Sequence, residues 1–516
     1  MANQTFKFLL ASLLLCIGLI TGCASNDITS TNETETLNES TRPEETEESV
    51  PTTPTTEPPP IIDLSKPFVF PPAEDFNGVK LDENNRLIAT AYNKIQTFEN
   101  GKTPIKEIYV SPDGSDNNDG SISAPYQTFI KAISKAEPGT AVRIMPGTYT
   151  TSIYTEKLYG TEENPIWIGG IPGQERPVFD GAGVQIVKGA YIIIHDLEVK
   201  DIAGATGTGI HVNDGGDIKW PSETHHFIFR NLYVHDITYQ NFKFAGLSYS
   251  WIFDCEVSWE TLGQSAGLDY VGCHYTTIAY NYFHDLKGVG IQLKGGSFEA
   301  DIYGNLFINA GARAINMGGS TGEQFFRPYL VKDGTMYEGR YLRAYSNIFI
   351  GGGSTFSFVC STDCYAVNNT VIRPKNQIFR ILNEDGGNHL KLGNNGRPHN
   401  NTVSNNIFYY GNDLTGEAIN ISFELTKDDK KSFIMQNNLF YNADNKSASR
   451  PYNIGDFKHD GTIAKDPLFE DVLNNNFDLA SDSPAAAAGS EYSFVTEDYY
   501  GKPFGNPRSI GAIQYK

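Results

Sequence analysis

From Asn231 onward the chain repeats one short pattern of polar and apolar positions. A turn-tolerant polar residue opens each unit and an apolar or aromatic run follows. Examples are Asn231-Leu-Tyr-Val-His-Asp, Asp254-Cys-Glu-Val-Ser-Trp, Asn281-Tyr-Phe-His-Asp, Asn305-Leu-Phe-Ile, Asn347-Ile-Phe-Ile, Asn369-Thr-Val-Ile, Asn406-Ile-Phe-Tyr and Asn438-Leu-Phe-Tyr. Successive starts lie 23, 27, 24, 42, 22, 37 and 32 residues apart. The shortest gaps define a coil of roughly 22–24 residues, and the longer gaps are that coil plus insertions. Each unit also holds an alternating run, such as Gly290-Ile-Gln-Leu-Lys or Ala314-Ile-Asn-Met. Strands this short, with no helical period between them, bury their apolar side chains by stacking coil on coil in parallel register. Asn at the strand starts suits a left-handed corner, and its side chain can bond from one coil to the next. A β-propeller would need four strands and roughly forty residues per blade, longer than several of these gaps. The pattern therefore predicts an all-β fold, a parallel β-helix solenoid spanning 105–516.

Both ends carry matching signals. Pro125-Tyr-Gln-Thr-Phe-Ile-Lys-Ala-Ile-Ser-Lys-Ala136 has Phe129, Ile130, Ile133 and Ala136 at helical spacing. Gly139-Thr-Ala-Val-Arg-Ile-Met-Pro-Gly-Thr-Tyr149 then reads as strand and turn. This block resembles the N-terminal part of secreted bacterial right-handed parallel β-helix proteins of the pectin-lyase type, in which a helix caps the open end. Asp466-Pro-Leu-Phe, Asp482-Ser-Pro-Ala-Ala and Ile510-Gly-Ala-Ile-Gln-Tyr515 resemble the terminal coils of the same group. The resemblance implies a right-handed solenoid with an N-terminal capping helix and long loop insertions, and it leaves residues 61–104 as an extension packing on the coils. A cap matters because a bare terminal coil is an open sheet edge.

The first sixty residues speak of address. Lys7 precedes the apolar run Phe8–Ile20, too short to span a bilayer, and small residues flank the following Cys23. Leu19-Ile20-Thr21-Gly22-Cys23 resembles the bacterial lipobox, which implies a signal peptide over 1–22, acyl chains on Cys23 and export to the cell envelope. With Ala24 after the cysteine, the resemblance implies the outer membrane of a Gram-negative cell, or otherwise the cell surface. Residues 23–60 are dominated by Ser, Thr, Asn, Glu and Pro and read as a solvated tether. The only membrane contact expected is the lipid anchor, and the chain is expected to be a monomer. Cys255, Cys273, Cys360 and Cys364 remain in the exported part, and the last two read as a local disulfide or core packing ahead of zinc. The formal charge of −21 disfavours nucleic acid as a partner, but a local groove can still take an anionic glycan.

Alternation also places side chains on the outer face. In Gly209-Ile-His-Val-Asn, Ile210 and Val212 point inward and His211 outward. The same reading gives an outward polar row of His211, Ser248, Asp269, Gln292, Asn316 and Arg380, with Lys294 beside it. A slip of one residue would invert it. The longest insertions follow this row: 318–339, 383–401, and a segment holding Asp214, Asp217, Lys219, Trp220 and Glu223. Trp220, Phe325 and Phe326 suit sugar faces, and Arg327 suits a carboxylate or sulfate. Asp269, Gln292, Asn316 and Glu323 complete the expected substrate contacts.

Lys294, in Leu293-Lys-Gly-Gly-Ser297, and the following coil loosely resemble the β-helix lyases that include chondroitinase B and alginate lyases. There a Lys or Arg takes the C5 proton beside a uronate carboxylate, and a further cation neutralises that carboxylate. The resemblance implies a polysaccharide lyase acting on an acidic polysaccharide, with Lys294 as base and Arg313 as the following cation; Arg380, a second nearby cation, and His211 of the outward row complete the candidate catalytic set. The order departs from the family pattern, since Arg313 precedes its strand. Calcium is the cofactor such lyases imply, with Asp269 and Glu260, or Asp214 and Asp217, as the available donors. Two other functions fit the same fold: a glycoside hydrolase using Asp269 with Glu323 or Glu384, and a non-catalytic glycan-binding lipoprotein.

Overall fold

The computed structural model describes residues 79–516 apart from 205, 218–220, 259–265, 385–390, 423 and 452–454. The repeating unit reads directly as one coil of three strands. Residues 208–213, 225–230 and 233–235 make one coil, and 240–245, 248–253 and 256–258 make the next. Each strand pairs in parallel with its counterpart one coil away, for example Ile210 with Phe242 and Phe227 with Ser250. The result is a right-handed parallel β-helix, as parallel crossovers of this kind dictate. One of its faces is an eleven-stranded sheet running from Thr148–Tyr149 to Leu439–Asn442. The interior is a continuous apolar column including Ile210, Phe242, Leu268, Ile291, Ile315, Phe356 and Phe379, all with no exposed surface.

The asparagine repeat forms a buried ladder. Asn305 Oδ1 accepts from the backbone N–H of Asn281 at 2.9 Å, Asn347 Oδ1 from that of Asn305 at 3.0 Å, and the series continues through Asn369, Asn406 and Asn438. The expected left-handed corner falls elsewhere in this part of the chain. Positive φ belongs to the residue before each of these asparagines: Tyr280, Gly304, Ser346, Asn368, Asn405 and Asn437. Only the earlier starts, Asn231 and Asp254, are themselves left-handed.

The capping helix is short, Phe129–Ile133, with Thr128 Oγ1 accepting from Lys131 N. Phe129 and Ala132 enter the core, and Phe129 packs on Tyr149 and Phe179. Ile130, expected on the buried stripe, is three-quarters exposed. At the other end the chain doubles back along the coils. Asn368 Nδ2 donates to Ser509 O and Gly511 O, and Gly511 N donates to Asn405 O. Residues 79–104 lie across the coils as a strap: Thr90 and Ala91 donate to Asp254, Leu87 to Glu256, and Glu99 pairs with Arg230 and accepts from Trp167. Cys255, Cys273, Cys360 and Cys364 are buried thiols outside any disulfide, so core packing and not a disulfide is what the structure shows for the Cys360–Cys364 spacing.

Candidate active site

Strand alternation leaves one outward side chain per coil at a common height, and parallel register stacks them into a row. It runs Tyr154, Gln185, His211, Lys243, Asp269, Gln292, Asn316, Ser357, Arg380, Asn420. Adjacent rungs lie about 4.8 Å apart. His211, Asp269, Gln292, Asn316 and Arg380 stand on it. Ser248 does not: it opens Ser248–Phe253, on a different face, and pairs with His225 and His274. Its expected place is taken by Lys243, which the sequence reading missed. The signal was present, since Phe242-Lys243-Phe244 has the in-out-in form of Ile210-His211-Val212. Ser357, between buried Phe356 and Phe358, was missed in the same way.

The centre of the row is a carboxylate shared by two lysines. Asp269 is buried; its Oδ2 accepts from Gln240 Nε2 at 2.7 Å and pairs with the Lys243 ammonium. Its Oδ1 has no hydrogen bond and faces the Lys294 ammonium at 3.5 Å. Lys294 also donates to Gln292 Oε1 at 3.4 Å. Burial alone would raise the Asp269 pKa, but the Lys243 and Lys294 charges outweigh it and hold the carboxyl below its usual range. Lys243 moves the other way for a lysine: burial, with the Lys294 charge added, lowers its pKa in spite of Asp269. Burial and the Lys243 charge also bring His211 down to about 4, so it stands neutral beside the lysine. Its Nε2 accepts from Asn213 Nδ2 at 3.2 Å.

A second cationic group lies further along the row. Arg313, on the strand Arg313–Gly318 but off the row, donates to Asn316 Oδ1 at 3.3 Å and pairs with Glu384. Arg380 donates to Asn420 Oδ1 at 3.1 Å, and burial and the Arg313 charge lower its pKa.

Loops wall this row. The loop after Gly318 begins against the lysine: a Cβ on Gly319 would lie 3.1 Å from that of Lys294. Glu338, fully buried, closes the loop by accepting from Gly295 N, Thr321 N and Thr321 Oγ1, each at 2.7 Å. Glu323 pairs with Lys332 at 2.8 Å and with Lys391 of the next insertion, so it ties loop to loop. Phe326 and Arg327 depart from the expected substrate contacts. Phe326 is fully buried against Leu330, Val359 and Leu392, and Arg327 is spent on Asp214, Nε to Oδ2 at 2.5 Å and Nη2 to Oδ1 at 2.9 Å. Both anchor the loop from beneath, while Phe325 and Tyr329 carry its exposed rings. Trp220, Lys219, Glu260, Asp385, His389 and Cys23 lie outside the described residues.

Of the four carboxylates expected as calcium donors, the three among the described residues are engaged by protein cations. Asp214 is bidentate on Arg327, Asp217 lies 3.5 Å from Lys188, and Asp269 carries two ammoniums. Among the described residues no three His, Cys, Asp or Glu side chains group to hold a metal.

Comparison with known proteins agrees with this architecture. Residues 108–285 match the family described as Pel9A-like, right handed beta helix region. A stretch of 124 residues is 32% identical to the uncharacterized protein YwoF of Bacillus subtilis (strain 168), covering 23% of this chain and 25% of YwoF. Another of 76 residues is 40% identical to pectate lyase PEL9 of Emericella nidulans, covering 14% of this chain and 18% of that enzyme. The chain thus spans a quarter or less of the curated relatives it matches. Among solved structures, pectate lyase Pel9A is 16% identical with a TM-score of 0.49, covering 81% of this chain and 98% of that one. XylC in complex with xylose is 12% identical with a TM-score of 0.47, covering 79% and 98%.

Proposed function

We propose that this chain is a carbohydrate-active enzyme that cleaves a uronate-containing polysaccharide by β-elimination. The observation that carries the reading is the Lys243–Asp269–Lys294 centre on the outward row: a lysine with a lowered pKa beside a second lysine, both oriented by one buried carboxylate. The similarity of part of the chain to a pectate lyase supports it.

In this mechanism Lys243, in its neutral form, takes the C5 proton of a uronate. The electron pair of that C–H bond becomes the C4–C5 double bond, and the C4–O bond breaks toward the leaving sugar. Water supplies the proton to the departing oxygen, and Lys243 returns its own to solvent. The Lys294 side chain meets the uronate carboxylate, lowering the cost of negative charge developing at C5. The base role therefore moves from Lys294, expected from the sequence, to its neighbour. Arg313 and Arg380 receive a further acidic sugar along the row.

A hydrolase needs two carboxylates facing one another across the bond. Here Asp269 is flanked on the row by Lys243 and Gln292, while Glu323 and Glu384 are held in ion pairs. The test incubates the soluble chain with a panel of uronate polysaccharides. Ultraviolet absorbance of an unsaturated product is expected; new reducing ends without it identify a hydrolase, and neither identifies a non-catalytic binder. We propose further that Cys23 anchors the enzyme at the cell envelope. Cys23→Ser should then move it from the membrane fraction to the soluble fraction.

A further inference from the structure

Among the described residues Asp269 is the one carboxylate on the outward row, and its surroundings are those of a cation site already filled. Gln240 donates to Oδ2, which also holds the Lys243 ammonium, while Oδ1, buried and without a hydrogen bond, faces Lys294. Gln292 Oε1 lies 3.4 Å from the same ammonium, so Lys294 sits between two oxygens that a hard cation would otherwise draw on. Calcium takes about six to eight oxygens and favours carboxylates with free lone pairs. A divalent ion at Asp269 would meet two ammoniums within a few ångströms, and like charges at that range repel strongly in a half-buried groove.

We propose that Lys294 is a tethered cation standing in the place a metal ion would need, so that the groove neutralises an acidic ligand with a side chain and requires no divalent metal. The nature of that ligand rests on the uronate reading above; the exclusion of the metal does not. The deciding experiment therefore needs no substrate. Terbium(III), a luminescent mimic of calcium, and calcium itself are titrated into the soluble wild-type chain, Asp269→Asn, Lys294→Ala, and the double variant. The wild type is expected to show no terbium signal that Asp269→Asn removes, and no shift in melting temperature with calcium or chelator. Lys294→Ala, with Oδ1 of Asp269 and Oε1 of Gln292 released, is expected to gain a terbium signal that is lost again in the double variant. A wild-type signal abolished by Asp269→Asn would overturn the proposal, and so would Lys294→Ala staying dark. In a parallel assay turnover should be unchanged in chelator, and loss restored by calcium would equally overturn it. If no uronate polymer is cleaved, the lyase reading fails while the titrations still decide this one.

Discussion

Lys243 and Lys294 differ in what each does to the other, and this makes them separable. Removing either is expected to lower kcat/KM about a thousandfold, the scale of a lost proton-transfer group or a lost transition-state cation. The pH profile distinguishes the roles. Activity should rise with pH as Lys243 loses its proton, because only the neutral amine accepts one. Asp269→Asn deletes the charge that favours the ammonium, so residual activity should rise at lower pH than in the wild type. Lys294→Ala deletes a charge that disfavours it, so the rise should move to higher pH. Shifts of opposite sign in kcat/KM profiles are the check, and two shifts in the same direction would remove Lys243 as base. At a purely structural position, Asn305→Ala withdraws the acceptor of Asn281 N and the donor to Ile278 O in the buried ladder. It should cost about 3 kcal/mol in urea unfolding, since buried partners left unmade cost more than an average hydrogen bond gains.

At the level of strands and loops, the coil spacing and the alternation within each run were legible in the sequence, because periods of two and of about twenty-three residues are properties of residue order. Inward Ile210, Leu268 and Phe379 and outward His211, Asp269 and Gln292 follow from that period alone. Which run belongs to which face does not, and Ser248 shows why. Leu247-Ser-Tyr offered a polar residue at a plausible spacing, but its strand lies one corner beyond Gln240–Ala245, and only register separates the two. Loop burial was equally hidden. Phe325 and Phe326 are adjacent and chemically alike, yet one is exposed and the other anchors the loop, a choice made by the Leu330–Leu392 cluster below them. Arg327→Met should therefore cost about 3–5 kcal/mol by stranding Asp214 as a buried unpaired charge. Limited proteolysis within 319–338 should accelerate in that variant, with KM rising more than kcat falls.

The molecule as a whole should lose stability in mild acid. His211, His226 and His274 are each brought down to about 4, in every case chiefly by burial. The unfolded chain takes up these protons near 6.5 while the folded chain resists until about 4, so stability is complete above that window and falls as pH drops through it. His284 opposes the trend: burial lowers its pKa, but Asp285 and Glu256 outweigh that and raise it, so its contribution is present at low pH and lost as pH rises. His195 and His225 are also lowered by burial, while Asp254 and Asp498, raised by burial, act with His284; with five histidines against these three groups, the melting temperature should be lower at pH 4.5 than at pH 7. The strap formed by residues 79–104 has a different consequence, one of timing. It precedes every coil in the chain, yet its anchors on Asp254 lie 164 and 163 residues further on. No strap can dock until those coils have stacked, so a segment that emerges before every coil is a latch that closes late, after a long loop has been drawn shut. Glu99 accepts from the Trp167 indole in the closed state. During refolding the fluorescence of that tryptophan should settle more slowly than the growth of β-structure seen by circular dichroism.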